Sequence, residues 1–215
     1  MTIDYDSFSR ASTAIHLAQG AALFVLGAAE AYSHDNPGSR AVLAGPLALL
    51  AAALAIPLIM LGVAGNWNMD QLRAALDIRR GFYLFIAFAC LFGAAGMSRL
   101  TQAVIKKAGG GWQAAFLFFL AGAGVLYFLL AWRVNEEAWH QVFAWHSAMG
   151  ATLLLAVAVK AAHVFSGRRL LHAAWGVLLL VTAVQLMSYR ETPAAFGLRM
   201  VTFQTAPDLP GPITK

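Results

Sequence analysis

Six long apolar stretches, separated by short polar connections, dominate the chain. Each can cross a bilayer as a helix, because about 20 residues at about 1.5 Å per residue cover a hydrocarbon core of about 30 Å. The alternating short segments that are typical of a membrane β-barrel are missing. The pattern therefore predicts an all-α integral membrane bundle with six transmembrane helices, at residues 11–32, 41–64, 80–98, 112–132, 142–165 and 170–188.

The connections and the two ends define the domain organisation. Turn-forming residues separate the stretches, as at residues 35–38 and 166–169, and residues 1–190 are predicted to form one transmembrane domain. The N-terminus lacks the basic start of a signal peptide, so we expect the first span to be retained. Residues 191–215 contain four prolines and are predicted to form an extramembrane tail that docks on other subunits of a membrane complex. The expected anchors are apolar, with Arg199 available for an acidic partner: Phe196, Leu198, Met200 and Phe203.

Composition sharpens this picture. The chain is 60% hydrophobic and 12% charged, whereas an ordinary soluble domain has about 25% charged residues. A soluble protein is therefore excluded, and we expect a multi-pass protein of the bacterial inner membrane with the lipid bilayer as its main partner. The net charge of +5 comes from short basic clusters between apolar stretches, which is typical of membrane flanks and not of nucleic-acid binding. The one cysteine, Cys90, excludes a disulfide framework.

A short sequence pattern is shared by the first and fifth stretches. The pattern His-x-Ala-x-Gly-Ala begins at His16 and again at His146, an offset of 130 residues. The same offset aligns Glu30 with Lys160. An internal duplication and a chance match both explain it.

Histidine is the candidate ligand in this pattern. The first and fifth spans run in the same direction, so His16 and His146 lie near one membrane face, and neutral imidazole is a good axial ligand for haem iron. Gly20 and Gly150, each four residues after its histidine, would let a flat porphyrin approach the backbone. We therefore predict a haem b between His16 and His146. The competing interpretation is that these side chains form ordinary hydrogen bonds near the interface.

A second haem b is predicted near the opposite face. His163 is one ligand, with His172 or His34 as its partner, and Arg168 and Arg169 are placed to meet the haem propionates. Both arginines could equally anchor the loop to lipid head groups.

With these histidines, and with the segment from Trp145 to Tyr189, the chain resembles the di-haem membrane b-type cytochromes. The resemblance implies a quinone-linked or ferric-reductase-like electron-transfer subunit of a membrane oxidoreductase. It also implies a quinone as an additional cofactor, for which an aromatic and acidic cluster on the His146 side is a candidate: Glu136, Glu137, Trp139 and His140.

Two other interpretations remain open. Small residues such as Gly93, Gly96, Gly122 and Gly124 suit close helix packing, so the chain could be a cofactor-free accessory subunit of a membrane complex. Alternatively, Lys160 could act as a Schiff-base lysine for retinal or in a proton path with Glu30. Against this second alternative, Lys160 lies close enough to the helix end to extend its amine to the interface.

Overall fold

The computed structural model describes residues 5–36, 39–105, 110–192 and 195–196. These residues form helices, with no β-strand among them. The helices are α1 (Tyr5–Asp35), α2 (Ala44–Ile59), α3 (Met69–Ile78), α4 (Tyr83–Ile105), α5 (Gly111–Leu129), α6 (Glu136–Ser166) and α7 (Arg169–Ser188). The all-α prediction is confirmed.

Six helical segments of the described chain are long and apolar enough to span a membrane. They are Asp6–Ser33, Arg40–Ala64, Arg80–Ile105, Gly111–Arg133, Glu136–Ser166 and Arg169–Ser188. Each contains or nearly coincides with one of the predicted spans. The predicted spans are shorter because several helices continue beyond their apolar core into turns that contain polar residues, as α6 does at Glu136.

Short α3 has no counterpart in the prediction. Its start is fixed by Asn68, whose side-chain oxygen accepts hydrogen bonds from the backbone N–H groups of Asp70 and Gln71. Its apolar residues Ala75 and Leu76 are buried, whereas Asp70 and Asp77 are exposed. Ten residues are too few to cross a bilayer, so α3 connects the second and third spans at one end of the bundle.

The six spanning helices close into a ring. Along the chain, α1 packs on α2, α2 on α4, α4 on α5, α5 on α6 and α6 on α7, and α7 returns to pack on α1. Since successive spans alternate in direction, α1 and α6 run parallel and face each other across the interior.

The distribution of polarity is that of a membrane protein. Large apolar side chains cover the outside, including Leu54 at 69% and Phe118 at 71% exposure, whereas polar and charged side chains lie inside. Burying ionisable groups while exposing Leu and Phe is favourable only where lipid is the surrounding solvent. The chain is therefore a multi-pass membrane protein. The buried polar set includes Ser12, His16, Gln19, Glu30, Gln102, Gln113, Arg133, His146, Lys160 and His172.

Candidate functional site

Helices α1 and α6 bring polar side chains together at two levels of the interior. At one level His16 contacts His146, and at the other Glu30 contacts Lys160. Both pairs have the 130-residue offset seen in the sequence, and the levels are 14 residues apart on each helix, about 21 Å. We call the level of His16 and His146 the first centre and that of Glu30 and Lys160 the second centre.

The two imidazoles of the first centre meet through their Nε2 atoms, which are 3.1 Å apart. The Nδ1 atom of His16 lies 2.7 Å from the carbonyl oxygen of Ser12, and that of His146 lies 2.7 Å from the carbonyl oxygen of Val142. A carbonyl oxygen only accepts, so both Nδ1 atoms carry a hydrogen and donate it. In two neutral rings, both Nε2 atoms would then present lone pairs to each other. The Nε2–Nε2 distance of 3.1 Å is the length of an N–H···N hydrogen bond, which one proton shared between the two rings would form.

Aromatic rings enclose this pair. Both histidines are 0% exposed. The Tyr189 ring centroid is 4.9 Å from that of His16 and 4.7 Å from that of His146, and the Phe85 ring is 5.8 Å from that of His16. The Tyr127 hydroxyl donates to the Gln19 side-chain oxygen at 3.2 Å nearby. The first centre is therefore dry in the sense that bulk water does not reach it.

A buried carboxylate connects the first centre to the chain after α7. Glu191 accepts hydrogen bonds from the Ser12 hydroxyl at 2.5 Å and from the Tyr189 hydroxyl at 3.0 Å, and it forms an ion pair with Arg133. The side chains of Arg133 and Glu191 are both 0% exposed. Burial alone would raise the pKa of Glu191, but the Arg133 guanidinium outweighs it and lowers that pKa to about 2. Burial raises the pKa of the Tyr189 phenol. Glu191 is thus an anion and Tyr189 a neutral donor at ordinary pH.

Residues 195 and 196, which follow α7, pack on the helices of the same chain at this level. Phe196 is 2% exposed and lies against Phe8 and Phe82. Its carbonyl oxygen accepts a hydrogen bond from Arg79, and the backbone N–H of Asn135 donates to the carbonyl oxygen of Ala195. Phe196, expected to be an anchor on another subunit, is therefore an internal anchor. The other predicted anchors, Leu198, Met200 and Phe203, and Arg199 lie outside the described residues.

The second centre is an ion-pair cluster. Glu30 pairs with Arg99 and, at 2.9 Å, with Lys160. Lys160 also donates to His172 Nδ1 at 3.1 Å, and His172 Nε2 donates to the Glu30 carbonyl oxygen at 3.0 Å. The expectation that Lys160 extends to the interface is wrong, because its side chain is 6% exposed. Its carboxylate partner holds it inside the bundle.

The histidines predicted for a second haem are arranged differently from an axial pair. Both ring nitrogens of His172 are engaged in the second centre, so neither is available to a metal in this arrangement. The His163 ring lies 5.0 Å from that of His172, and His163 Nδ1 donates to the Arg168 carbonyl oxygen. Arg168 and Arg169 are exposed. His34 lies in the last turn of α1, and its side chain is outside the described part of the structure.

The two glycines of the shared pattern face neighbouring helices. A Cβ atom at Gly20 would lie 2.6 Å from Met187 Cγ on α7, and one at Gly150 would lie 2.7 Å from the Gly124 carbonyl oxygen on α5. In the described packing, these glycines allow close contact between helices. The space that was predicted to admit a porphyrin is filled by α5 and α7.

Replacement of Gly150 by Ala is expected to destabilise the bundle by about 1–3 kcal/mol, because the new methyl group meets backbone that cannot move away. Gly93→Ala is the matched control, since its Cβ would make an ordinary 3.5 Å contact with Ala53. Thermal unfolding in detergent should show a loss for Gly150→Ala and none for Gly93→Ala. Equal midpoints for the two variants would show that the α5–α6 contact is looser than described.

The geometry of the first centre does not fit a haem in the described conformation. A linear pair of axial imidazoles requires about 4 Å between Nε2 atoms, at about 2 Å from each nitrogen to the metal. The observed 3.1 Å is too short, and the rings of Tyr189 and Phe85 pack directly against the His16 imidazole. Among the described residues, no group of three or more His, Cys, Asp or Glu side chains could hold a metal ion.

The proposed quinone cluster lies at the start of α6. Glu136, Glu137 and His140 are exposed, and Trp139 stacks on Phe143 with ring centroids 4.9 Å apart.

Sequence reasoning missed the groups that surround the histidine pair, Ser12, Arg133, Tyr189 and Glu191. The available signal was that Arg133 and Glu191 each lie at the end of a predicted span, where opposite charges can meet across a bundle.

Comparison of the chain with protein-family models, with curated proteins and with solved structures gives no match.

Proposed function

We propose that the first centre is a proton-transfer site and that the chain is a proton-handling membrane protein. The observation that carries this proposal is the convergence of two Nε2 atoms whose rings already donate through Nδ1. Such a pair takes up one proton and holds it between the rings. Ionisable groups inside a membrane are functional candidates by default, and histidine titrates closest to physiological pH.

The surrounding residues balance charge near the two imidazoles, orient His16 and cover both rings. Arg133 and Glu191 neutralise each other, so the charge taken up by the imidazoles is the variable charge of the centre. Ser12 connects the two parts, because its carbonyl oxygen orients His16 while its hydroxyl donates to Glu191. Tyr189 covers both imidazoles and also donates to Glu191. The Ser12 hydroxyl oxygen also lies 3.4 Å from His16 Nδ1, so a single hydroxyl separates this imidazole from a carboxylate near the end of the bundle.

The test uses the full-length chain labelled with ¹⁵N-histidine in a lipid bilayer. We expect two histidines whose Nδ1 atoms carry hydrogens and whose Nε2 nitrogens are coupled through one shared proton. The coupling should vanish in His16→Ala and in His146→Ala. His140→Ala, which removes an exposed histidine from the same helix as His146, should leave it unchanged.

Transfer is tested in liposomes that carry an internal pH dye. The wild-type protein should dissipate a pH gradient faster than protein-free liposomes, and His146→Ala should slow that protein-dependent rate by about 100-fold or more, the usual scale for a positioned proton carrier. A shared proton without any protein-dependent flux would show that the centre exists but does not transfer protons across the membrane. Equal flux in wild type and His146→Ala would contradict the function.

Electron transfer through haem b, as one subunit of a bacterial inner-membrane complex, is the second candidate. It is favoured by the orientation of both imidazoles through Nδ1, because metal-binding histidines usually donate their other ring nitrogen to a carbonyl or carboxylate. The rings would have to separate by about 1 Å and Tyr189 would have to move. His16 and His146 would then hold the iron, and haem would supply one-electron chemistry.

A visible spectrum of the purified protein separates the two candidates. A Soret band that is lost in His16→Ala and in His146→Ala supports the cytochrome. A featureless spectrum with the shared-proton signal supports the proton site. If both signals are missing, the cofactor-free accessory role remains.

A further inference from the structure

The second centre carries more positive than negative charge. Arg99 and Lys160 both pair with the single carboxylate of Glu30. His172 is neutral in this arrangement, because its Nδ1 accepts from Lys160 while its Nε2 donates to a carbonyl oxygen. Two cations against one anion leave one unit of positive charge. The side chains of Glu30, Lys160 and Arg99 are only 3%, 6% and 13% exposed, so water compensates little of that charge.

Two further buried donors on the neighbouring helices α5 and α7 have no hydrogen-bond partner among the described residues. They are Trp175 Nε1, on a residue that is 0% exposed, and Gln113 Nε2, on a residue that is 6% exposed. The Lys160 ammonium lies 5.7 Å from the centre of the Trp175 ring. Buried donors of this kind normally have a partner, so two of them beside an excess of positive charge indicate an acceptor that is not part of the described residues.

Phe116 links these groups spatially. Its ring centroid is 6.2 Å from that of Trp175 and 5.8 Å from the Arg99 guanidinium carbon. Gln113 precedes Phe116 by three residues on α5 and therefore lies on the same face of the helix, one turn away. Arg99, Lys160 and Trp175 thus border one region at this end of the bundle, and Gln113 lies one helical turn from the Phe116 ring that contacts it.

We infer that the second centre binds a small anion next to the Arg99 and Lys160 cations, beside the Trp175 indole. The ligand class is a halide or an anionic oxygen, which accepts hydrogen bonds from N–H groups and balances the excess charge. An inorganic ion and the phosphate of a lipid head group share this chemistry. The inference does not rest on the proton role of the first centre.

Iodide is a suitable probe, because a heavy halide bound next to an indole quenches its fluorescence. The full-length protein in dodecyl maltoside micelles is titrated with sodium iodide against sodium gluconate at constant ionic strength. We expect a saturable quenching component in addition to linear collisional quenching. Trp175→Phe should lose the saturable component, whereas Trp145→Phe, which changes a 45% exposed tryptophan, should keep it.

The charge requirement is tested by Lys160→Met, which should raise the half-saturating iodide concentration about tenfold or more. Gln113→Leu should raise it by a smaller factor without changing any charge. Arg168→Gln, which removes an exposed cation from the loop before α7, should have no effect. Each variant is first shown to be folded by its unfolding transition.

The source of the anion is found by repeating the titration in phosphatidylglycerol nanodiscs. A higher half-saturating iodide concentration than in micelles would identify a lipid phosphate as the competing occupant, and an unchanged value would identify a free ion. Purely linear quenching in micelles, or the same half-saturation in wild type and Lys160→Met, would overturn the anion site.

Discussion

Replacement of Glu191 by Ala is expected to lower the free energy of unfolding by about 3–5 kcal/mol, the usual cost of removing one partner of a buried ion pair. Arg133 would remain 0% exposed with no carboxylate beside it. Ser12 and Tyr189 would also lose their acceptor. The measurement is the thermal or denaturant unfolding of the purified protein in detergent.

Two controls separate the ion pair from general effects of substitution. Asp77→Ala removes an exposed carboxylate from α3 and should change stability by less than about 0.5 kcal/mol. The double variant Arg133→Met/Glu191→Met removes both charges and should be more stable than Glu191→Ala, because no unpaired charge stays buried. A double variant as unstable as Glu191→Ala would show that the loss comes from packing.

The same carboxylate predicts a pH dependence. The pKa of Glu191 is lowered from 4.5 to about 2 in the folded state. The contribution of this carboxylate to the free energy of unfolding is therefore fully present above about pH 4.5 and is lost as the pH falls toward about 2. Wild-type stability should therefore decline over this range more steeply than that of Glu191→Gln, which has no proton to gain. Parallel stability curves for the two proteins would contradict the lowered pKa.

Replacement of Glu30 by Gln is expected to be at least as costly as replacement of Glu191, about 3–5 kcal/mol or more. The change would leave the Arg99 and Lys160 cations close together inside the bundle without the carboxylate that pairs with both. Lys160→Met should lower the free energy of unfolding by less than half as much as Glu30→Gln, because the ion pair between Glu30 and Arg99 remains complete. The two variants are compared by unfolding in the same detergent.

The double variant Glu30→Gln/Lys160→Met provides the control. It has one buried cation instead of two, so it should recover part of the stability lost in Glu30→Gln. Equal losses for Glu30→Gln and Lys160→Met would mean that the cluster acts as a hydrogen-bond network in which the sign of the charge matters little.

Much of the architecture could be predicted because the bilayer imposes a simple constraint. A spanning segment must be long, apolar and helical, so residues 41–64 and 170–188 are recognisable from composition alone. The shared pattern at His16 and His146, with Glu30 and Lys160 at the same offset, further places two polar levels on parallel spans, and direct contacts occur at both. Helix α3 could not be found this way. It is only ten residues long and does not span the membrane, so the length and hydrophobicity that a spanning helix requires do not apply to it.

By itself, the sequence determined the six spans and placed His16 and His146 near one membrane face, since both follow from hydrophobicity and helical register. The shared offset aligned Glu30 with Lys160, but the sequence favoured an interfacial Lys160, and the structure showed that the two side chains meet inside the bundle. Only the tertiary structure decided what those pairs can do. The 3.1 Å contact between His16 and His146, and the use of Gly20 and Gly150 for helix packing, depend on how closely α5, α6, α7 and α1 approach. The pairing of Arg133 with Glu191 depends on how the chain turns after α7. These are distances between segments far apart in sequence, and local patterns carry no information about such distances.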